Sequence, residues 1–164
     1  MTISNGLTQT KQLFLLLEGT WTGEGRGEFP GVTSFAYRET LLITRRDENS
    51  LNYEQRTQKL YDGQTEFVPS HSEDGFIQAL ENVELELISH QKGRREVLTG
   101  SIEPVRDGFR IHFMSKTISD DPRMISSARL LELEGDTLCY EMAMHTTKVE
   151  GLTPHLKIIL NRVK

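Results

Sequence analysis

The chain has 164 residues, of which 36% are hydrophobic and 26% are charged, and its formal net charge is −5. A chain of this length is most simply one domain, residues 1–164, and it can bury a core around an internal pocket. The acidic balance argues against nucleic acid as a partner, because phosphate contacts need a basic face. With a single cysteine and no apolar run as long as a membrane helix, we expect a cytoplasmic protein with no membrane partner.

A short helix is predicted at the N-terminus. Residues 7–18 contain leucines and a phenylalanine without strict alternation, and Gly19 follows them as a helix stop. Such a helix could close one end of a barrel.

After Gly19 the hydrophobic pattern changes to a period of two, which is typical of half-buried antiparallel strands. Phe109, Ile111 and Phe113, for example, alternate with polar neighbours. Turn-forming pairs such as Asp62-Gly63 separate the runs, and the strands are expected to begin near residues 20, 33, 51, 70, 83, 95, 108, 124, 137 and 154. The sequence therefore predicts an all-β fold, a ten-stranded antiparallel up-and-down β-barrel of the calycin type, with a β-sandwich as the alternative.

The first predicted strand carries the pattern G-x-W-x-G-x-G at residues 19–25. Glycine weakens a strand, so glycines in alternation indicate a sharp bend or the close approach of another backbone. Trp21 would then close the floor of the barrel, with its ring buried and its N–H bonded. No helix follows to receive a phosphate, so these glycines do not form a nucleotide-binding loop.

Two of the five histidines stand out as candidates for chemistry. His71 lies two residues before Glu73, so the two side chains could share one face of a strand. His155 begins the last predicted strand, where strict alternation places it on the same face as Lys157. The chain lacks the histidine and cysteine spacings of zinc sites, whereas a haem iron needs only one protein ligand.

The last predicted strand is apolar on both of its faces. Leu156, Ile158 and Leu160 occupy one face, and Ile159 lies on the other. An apolar outer face needs cover, which either the N-terminal helix or a second subunit could supply. The pattern therefore leaves a homodimer open.

In combination these motifs resemble the nitrobindin family of haem-binding β-barrels, over residues 16–162. The resemblance rests on the glycine-tryptophan opening followed by Phe29-Pro30, on the stretch P-x-H-x-E-x-G-F at 69–76, and on Met142-Ala143 and His155-Leu156 near the end. Each motif is short, but their order and spacing along one chain make the match specific.

The resemblance implies one haem b per chain, bound in the barrel interior, with nitric oxide binding or isomerisation of peroxynitrite to nitrate as the activity. It assigns His155 as the ligand of the iron and His71 as the catalytic residue on the opposite side of the pocket. It also points to Gly31, where the family often has threonine, and to Thr33, two positions on, as cofactor contacts. Arg123 is the nearest candidate for a propionate contact.

Two other hypotheses remain open at the level of sequence. The first is a carrier of an apolar small molecule, as in fatty-acid-binding and lipocalin barrels, with Tyr53, Arg38 and Arg56 holding a carboxylate. For the two arginines, a solvated strand face is the simpler interpretation. The second hypothesis is a partner-binding barrel whose interior is filled with side chains.

Overall fold

The fold is seen in a computed structural model that describes residues 2–61 and 63–164, so Asp62 of the predicted turn lies outside the described residues. Helix α1 spans Thr2–Leu17. The strands are β1 Gly19–Phe29, β2 Val32–Asp47, β3 Ser50–Leu60, β4 Val68–Ala79, β5 Glu84–Gln91, β6 Arg94–Val105, β7 Gly108–Ser119, β8 Met124–Glu134, β9 Thr137–Thr146 and β10 Thr153–Arg162.

The ten strands form a closed barrel in which each strand pairs antiparallel with its neighbour in the chain, and β10 pairs with β1 to complete the circle. The predicted up-and-down barrel is therefore confirmed, and the β-sandwich alternative is wrong. The predicted helix is also present. It begins five residues earlier than expected, at Thr2 rather than residue 7, because the polar opening residues carry no apolar period to reveal it.

Helix α1 and Trp21 close one end of the barrel, which we call the floor. Leu13, Phe14 and Leu17 of the helix are fully buried beside the equally buried Trp21. The Trp21 indole N–H donates a hydrogen bond to the Leu17 carbonyl at 2.9 Å, so the ring is buried without an unpaired donor. The floor predicted from the glycine-tryptophan pattern is confirmed.

Close approach of neighbouring strands explains the glycines of β1. A Cβ atom at Gly23 or Gly25 would overlap the backbone of β10, and one at Gly27 would overlap the ring of Phe35. The absence of side chains therefore lets β10 pack closely against β1 and lets Phe35 lie flat on the barrel wall. Phe35 belongs to the opposite end of the barrel, which we call the mouth.

No helix in the described part of the chain is long and apolar enough to cross a membrane. Helix α1 covers the floor, and Ile159 on the outer face of β10 remains 54% exposed. Within residues 2–61 and 63–164, the helix therefore does not supply the cover expected for that face.

Candidate functional site at the mouth

A β-bulge redirects His155 into the barrel. In the pairing of β10 with β9, Pro154 is opposite Ala143 and Leu156 is opposite Met142, so His155 is an extra residue without a partner in the register. An extra residue breaks the strict alternation of the strand. His155 consequently joins Leu156 in lining the mouth pocket, and together with Lys157 it also borders a groove on the outer surface.

The hydrogen bonding of His155 fixes which ring nitrogen is free. Nδ1 lies 2.9 Å from the backbone carbonyl oxygen of Glu28. A carbonyl can only accept, so Nδ1 carries the proton, and in the neutral ring the lone pair is on Nε2. Burial, opposed by the bond to Glu28 and assisted by the charge of Lys59, lowers the pKa of His155. The neutral ring with a free Nε2 is the form that ligates metals.

Aromatic rings hold the His155 imidazole in place. Phe29 meets it edge-on with a centroid distance of 5.6 Å, and Phe35 does so at 6.4 Å. These contacts, together with the hydrogen bond to Glu28, hold the imidazole on three sides. The imidazole is therefore fixed in orientation rather than free to rotate.

The mouth pocket is a cavity of about 230 Å³. Its apolar wall includes Phe35, Leu156, Met142 and Met144, and its polar wall includes His71. The structure thus brings together the two histidines singled out by the sequence. Among the described residues, no group of three or more histidine, cysteine or acidic side chains could hold a bare metal ion. One imidazole is enough only where a macrocycle supplies the remaining ligands.

His71 is oriented by a buried carboxylate. Its Nε2 lies 3.4 Å from Oε2 of Glu73, which is 3% exposed, so the expectation that these side chains share a face is confirmed. Burial alone would raise the pKa of Glu73, but the charge of Arg129 and hydrogen bonds from His71, Arg129 and Tyr53 hold it well below the usual value. The ionised carboxylate accepts the His71 N–H, which leaves Nδ1 as the atom that His71 can offer to a ligand.

Below the pocket lies a layer of buried charges centred on Arg129. Its guanidinium donates to Glu73, and its Nη2 donates to Glu96 at 2.7 Å. Tyr53 and Ser89 also donate to Glu73, at 2.7 and 2.8 Å. Buried charges are tolerable only when they are paired and hydrogen-bonded in this way. The layer separates the apolar floor from the mouth and fixes the carboxylate that orients His71.

Glu39, an acidic side chain in this layer, lacks comparable hydrogen bonds. Neither carboxyl oxygen of Glu39 has a hydrogen-bond partner of acceptable geometry among the described residues, and the same is true of the Tyr37 hydroxyl. Burial raises the pKa of Glu39 to about 7. The nearby Gln55 amide opposes the rise without a well-formed hydrogen bond, and Glu73 adds to it. Glu39 is therefore an acid that is neutral over much of the acidic range and costly to ionise.

The remaining predicted site residues lie away from His155 and His71. Gly31 is in the exposed turn between β1 and β2 with φ near +81°, a conformation that favours glycine, and Thr33 is exposed on β2. Neither residue lines the mouth pocket. Arg123 does line it, but its side chain is 78% exposed and is held by Asp121 at 2.9 Å. The cofactor contacts of these three residues stay predictions.

The carboxylate clamp of a fatty-acid carrier is not assembled. Arg38 pairs with Glu24 and Arg56 with Glu54, and all four side chains are more than half exposed, so the simpler interpretation of both arginines is confirmed. Tyr53 faces inward, but its hydroxyl is engaged by Glu73. The buried arginine is Arg129, which is already neutralised by two carboxylates.

A larger cavity, of about 760 Å³, lies on the outer surface along β1 and β7–β10. Ile159, Met114 and the ion pair of Lys157 with Glu141 lie along it. It is an open groove on the solvent face, where a ligand would stay in contact with water. The smaller mouth pocket, with its oriented histidines, is the better candidate for chemistry.

Sequence reasoning missed Arg129, Glu96, Lys59 and Arg94. A usable signal existed for Arg129, since it occupies the same parity of β8 as the buried Leu131 and Leu133. A charge on the apolar parity of a strand predicts a buried partner. Its partners lie on β4 and β6, which the barrel brings opposite β8, and one sequence does not identify them.

Comparisons with known proteins match this barrel. Residues 11–162 match the family model described as a THAP4-like, heme-binding β-barrel domain. The chain is 32% identical over 148 residues to a peroxynitrite isomerase of Arabidopsis thaliana, covering 90% of this chain and 85% of that protein. It is 33% identical over 150 residues to a peroxynitrite isomerase of Nocardia farcinica, covering 89% and 86%. Its fold matches the crystal structure of Rv2717c from M. tuberculosis with a TM-score of 0.85, at 25% identity over 94% of this chain and 98% of that one.

Proposed function

Since the chain belongs to the THAP4-like, heme-binding β-barrel family, we propose that it binds one haem b at the mouth through His155 and isomerises peroxynitrite to nitrate or binds nitric oxide there. The observation that carries the proposal is the hydrogen bond from Nδ1 of His155 to the Glu28 carbonyl. That bond leaves Nε2 as the one nitrogen able to ligate iron. The names of the relatives support the choice of peroxynitrite as substrate.

The side chains that line the mouth pocket are chemically suited to binding a haem. A neutral imidazole lies beside Phe35, Leu156, Met142 and Met144, which would pack against a flat apolar ring. The cavity of about 230 Å³ is below the range of about 300–1,000 Å³ usual for ligand pockets. The enclosed part would therefore take one edge of the macrocycle, and its polar edge would stay at the open mouth.

A ferric haem supplies an open coordination position and a Lewis acid at which the O–O bond of peroxynitrite can break and the fragments recombine as nitrate. The protein contributes the surroundings of that position. His155 supplies the ligand on one side, and its contacts with Phe29 and Phe35 fix the orientation of the ring. His71 presents Nδ1 to the pocket as an acceptor when neutral and as a donor when protonated, while Glu73 holds the other nitrogen.

The decisive experiment is a titration of the purified protein with hemin, followed by the Soret band. The wild type should bind one equivalent with a sharp Soret band, and His155→Ala should lose it. His112→Ala is the matched control, because His112 is exposed on the outer face and lines only the outer groove. His71→Ala should retain hemin but slow the decay of peroxynitrite measured by stopped flow. The proposal fails if the wild type and His155→Ala bind hemin equally.

A further inference from the structure

Lys59 is a cation at the mouth without an anionic partner. It follows Thr57 on the inward parity of β3, and its half-buried side chain lines the mouth pocket. Its ammonium lies 3.9 Å from the centroid of the Phe35 ring. Among the described residues, no carboxylate forms a salt bridge with it.

Two other cations that line the mouth pocket, Arg94 and Arg123, are already engaged. Arg94 donates to Gln91 at 2.7 Å and lies 3.7 Å from Asp121. Arg123 makes two bonds to the same Asp121, at 2.9 and 3.0 Å. Lys92 also lines the pocket, but it is exposed in the turn between β5 and β6. Among the cations that line the mouth pocket, Lys59 is therefore partly buried and has no salt-bridge partner within the described residues.

The position of Lys59 has a cost that an anion would remove. Burial lowers the pKa of Lys59, which reflects the free energy spent in holding its ammonium partly out of water. The contact with Phe35 offsets part of this desolvation, but less of it than a charged partner would. An anion placed in the pocket beside Phe35 would therefore accept a charge-assisted hydrogen bond from the Lys59 ammonium, which forms no salt bridge within the described residues.

We propose that the ammonium of Lys59 binds a carboxylate of the ligand that occupies the mouth pocket. This inference rests on the proposed function, in which the ligand is a haem and the carboxylate is one of its propionates. Phe35 connects the two interactions, because one ring contacts both Lys59 and His155. Lys59 would therefore select tetrapyrroles with a free carboxylate and fix which edge of the ring remains at the opening.

The test compares hemin with hemin dimethyl ester, which has the same ring but no carboxylate. Dissociation constants are measured for both compounds by Soret titration of the full chain. In the wild type, hemin should bind about tenfold tighter than the ester. Lys59→Met keeps an apolar stem on Phe35 but removes the charge, so it should weaken hemin about three- to tenfold, leave the ester unchanged and bring the two affinities together. Lys59→Arg should restore most of the difference.

Two variants separate Lys59 from general charge effects. Lys11→Met makes the same change of net charge on α1 at the opposite end of the barrel and should behave as the wild type. Lys92→Met removes another exposed cation of the mouth and should retain most of the preference for hemin. A loss of preference in Lys92→Met, with Lys59→Met unaffected, would overturn the assignment.

The outcomes also separate this inference from the proposed function. If hemin binds in a His155-dependent manner but Lys59→Met keeps the wild-type preference over the ester, the assignment of Lys59 is wrong and the haem site stands. A wild-type protein that shows no His155-dependent Soret band overturns both the assignment of Lys59 and the proposed function.

A second experiment titrates sodium nitrate against hemin. Competition that depends on Lys59, together with an unchanged ester preference, would mean that Lys59 binds small oxyanions and not the carboxylate.

Discussion

The floor and the mouth of the barrel differ in how completely their polar groups are satisfied. At the floor, Trp21 is fully buried with its N–H bonded, and the Glu18 carbonyl just after the helix accepts from Arg162 at 2.6 Å. Within the described residues, the Ser50 hydroxyl is the one buried side-chain group at this end that has no partner. At the mouth and just below it, the Glu39 carboxyl, the Tyr37 hydroxyl and Nε of Arg94 have no partner within the described residues. Unpaired buried groups cost free energy and usually have a specific reason.

We attribute the difference to two roles: the floor stabilises the fold, and the mouth receives the proposed ligand. The floor follows from apolar packing and one capping helix. The mouth contains a strand irregularity at His155, an unneutralised Lys59 and a histidine held by a buried carboxylate. None of these features is expected to stabilise the fold by itself. We therefore attribute them to the ligand that we propose for the pocket.

The largest expected loss of stability comes from the floor. Trp21→Ala should lower the free energy of unfolding by about 3–5 kcal/mol, because it leaves a cavity against Leu13 and Phe14. Urea denaturation measures this loss. At temperatures where the variant remains folded, its affinity for hemin should equal that of the wild type. A parallel loss of hemin binding would show that the two ends are not independent.

Removing the charge at the centre of the barrel should be nearly as costly. Arg129→Met leaves Glu73 and Glu96 buried without their cation, at a cost of about 3–5 kcal/mol near neutral pH. The loss should shrink in acid, where protonation removes the uncompensated charge. Arg110→Met is the matched control, since Arg110 pairs with Glu132 on the outer surface and its loss should leave the stability nearly unchanged. Equal losses in the two variants would contradict the role of the buried layer.

A smaller change tests the wall on which the mouth is built. Gly27→Ala places a methyl group in the ring of Phe35, so the ring must shift and its contacts with Lys59 and His155 must change. We expect about 1–3 kcal/mol of destabilisation together with weaker hemin binding. Gly151→Ala has open space around the new methyl group and serves as the control. Unchanged hemin affinity in Gly27→Ala would show that Phe35 does not position the site.

The smallest expected effect is a change in pH dependence. The pKa of Glu39 is raised from 4.5 to about 7, so its neutral form favours folding below pH 4.5 and that contribution is lost as the pH rises toward 7. Glu39→Gln cannot ionise and should keep the contribution. Relative to the wild type, it should gain on the order of 1 kcal/mol between pH 5 and pH 8, measured by urea denaturation at both values. An identical pH dependence of the two proteins would mean that Glu39 ionises without penalty.

Most of the fold could be predicted because it depends on alternation. The starts of all ten strands fall within two residues of the predicted positions, since each strand has one buried face. The function of Trp21 and the pairing of His71 with Glu73 also follow from local spacing.

The details of the site follow from features that alternation does not reveal. Alternation turns His155 outward, and a bulge of one residue reverses that direction. Lys59 is a single charged residue near a strand end, and only the pairing of β2 with β3 brings it onto Phe35. Contacts between strands far apart in the chain determine these positions, so local sequence patterns miss them.

The central claim is that Nε2 of His155 is the protein ligand of a haem iron. Resonance Raman spectroscopy of the ferrous, hemin-loaded protein detects the iron–imidazole stretch directly. The account predicts this band in the wild type, its loss in His155→Gly, and its return when free imidazole is added to that variant. Persistence of the band in His155→Gly without added imidazole would contradict the account.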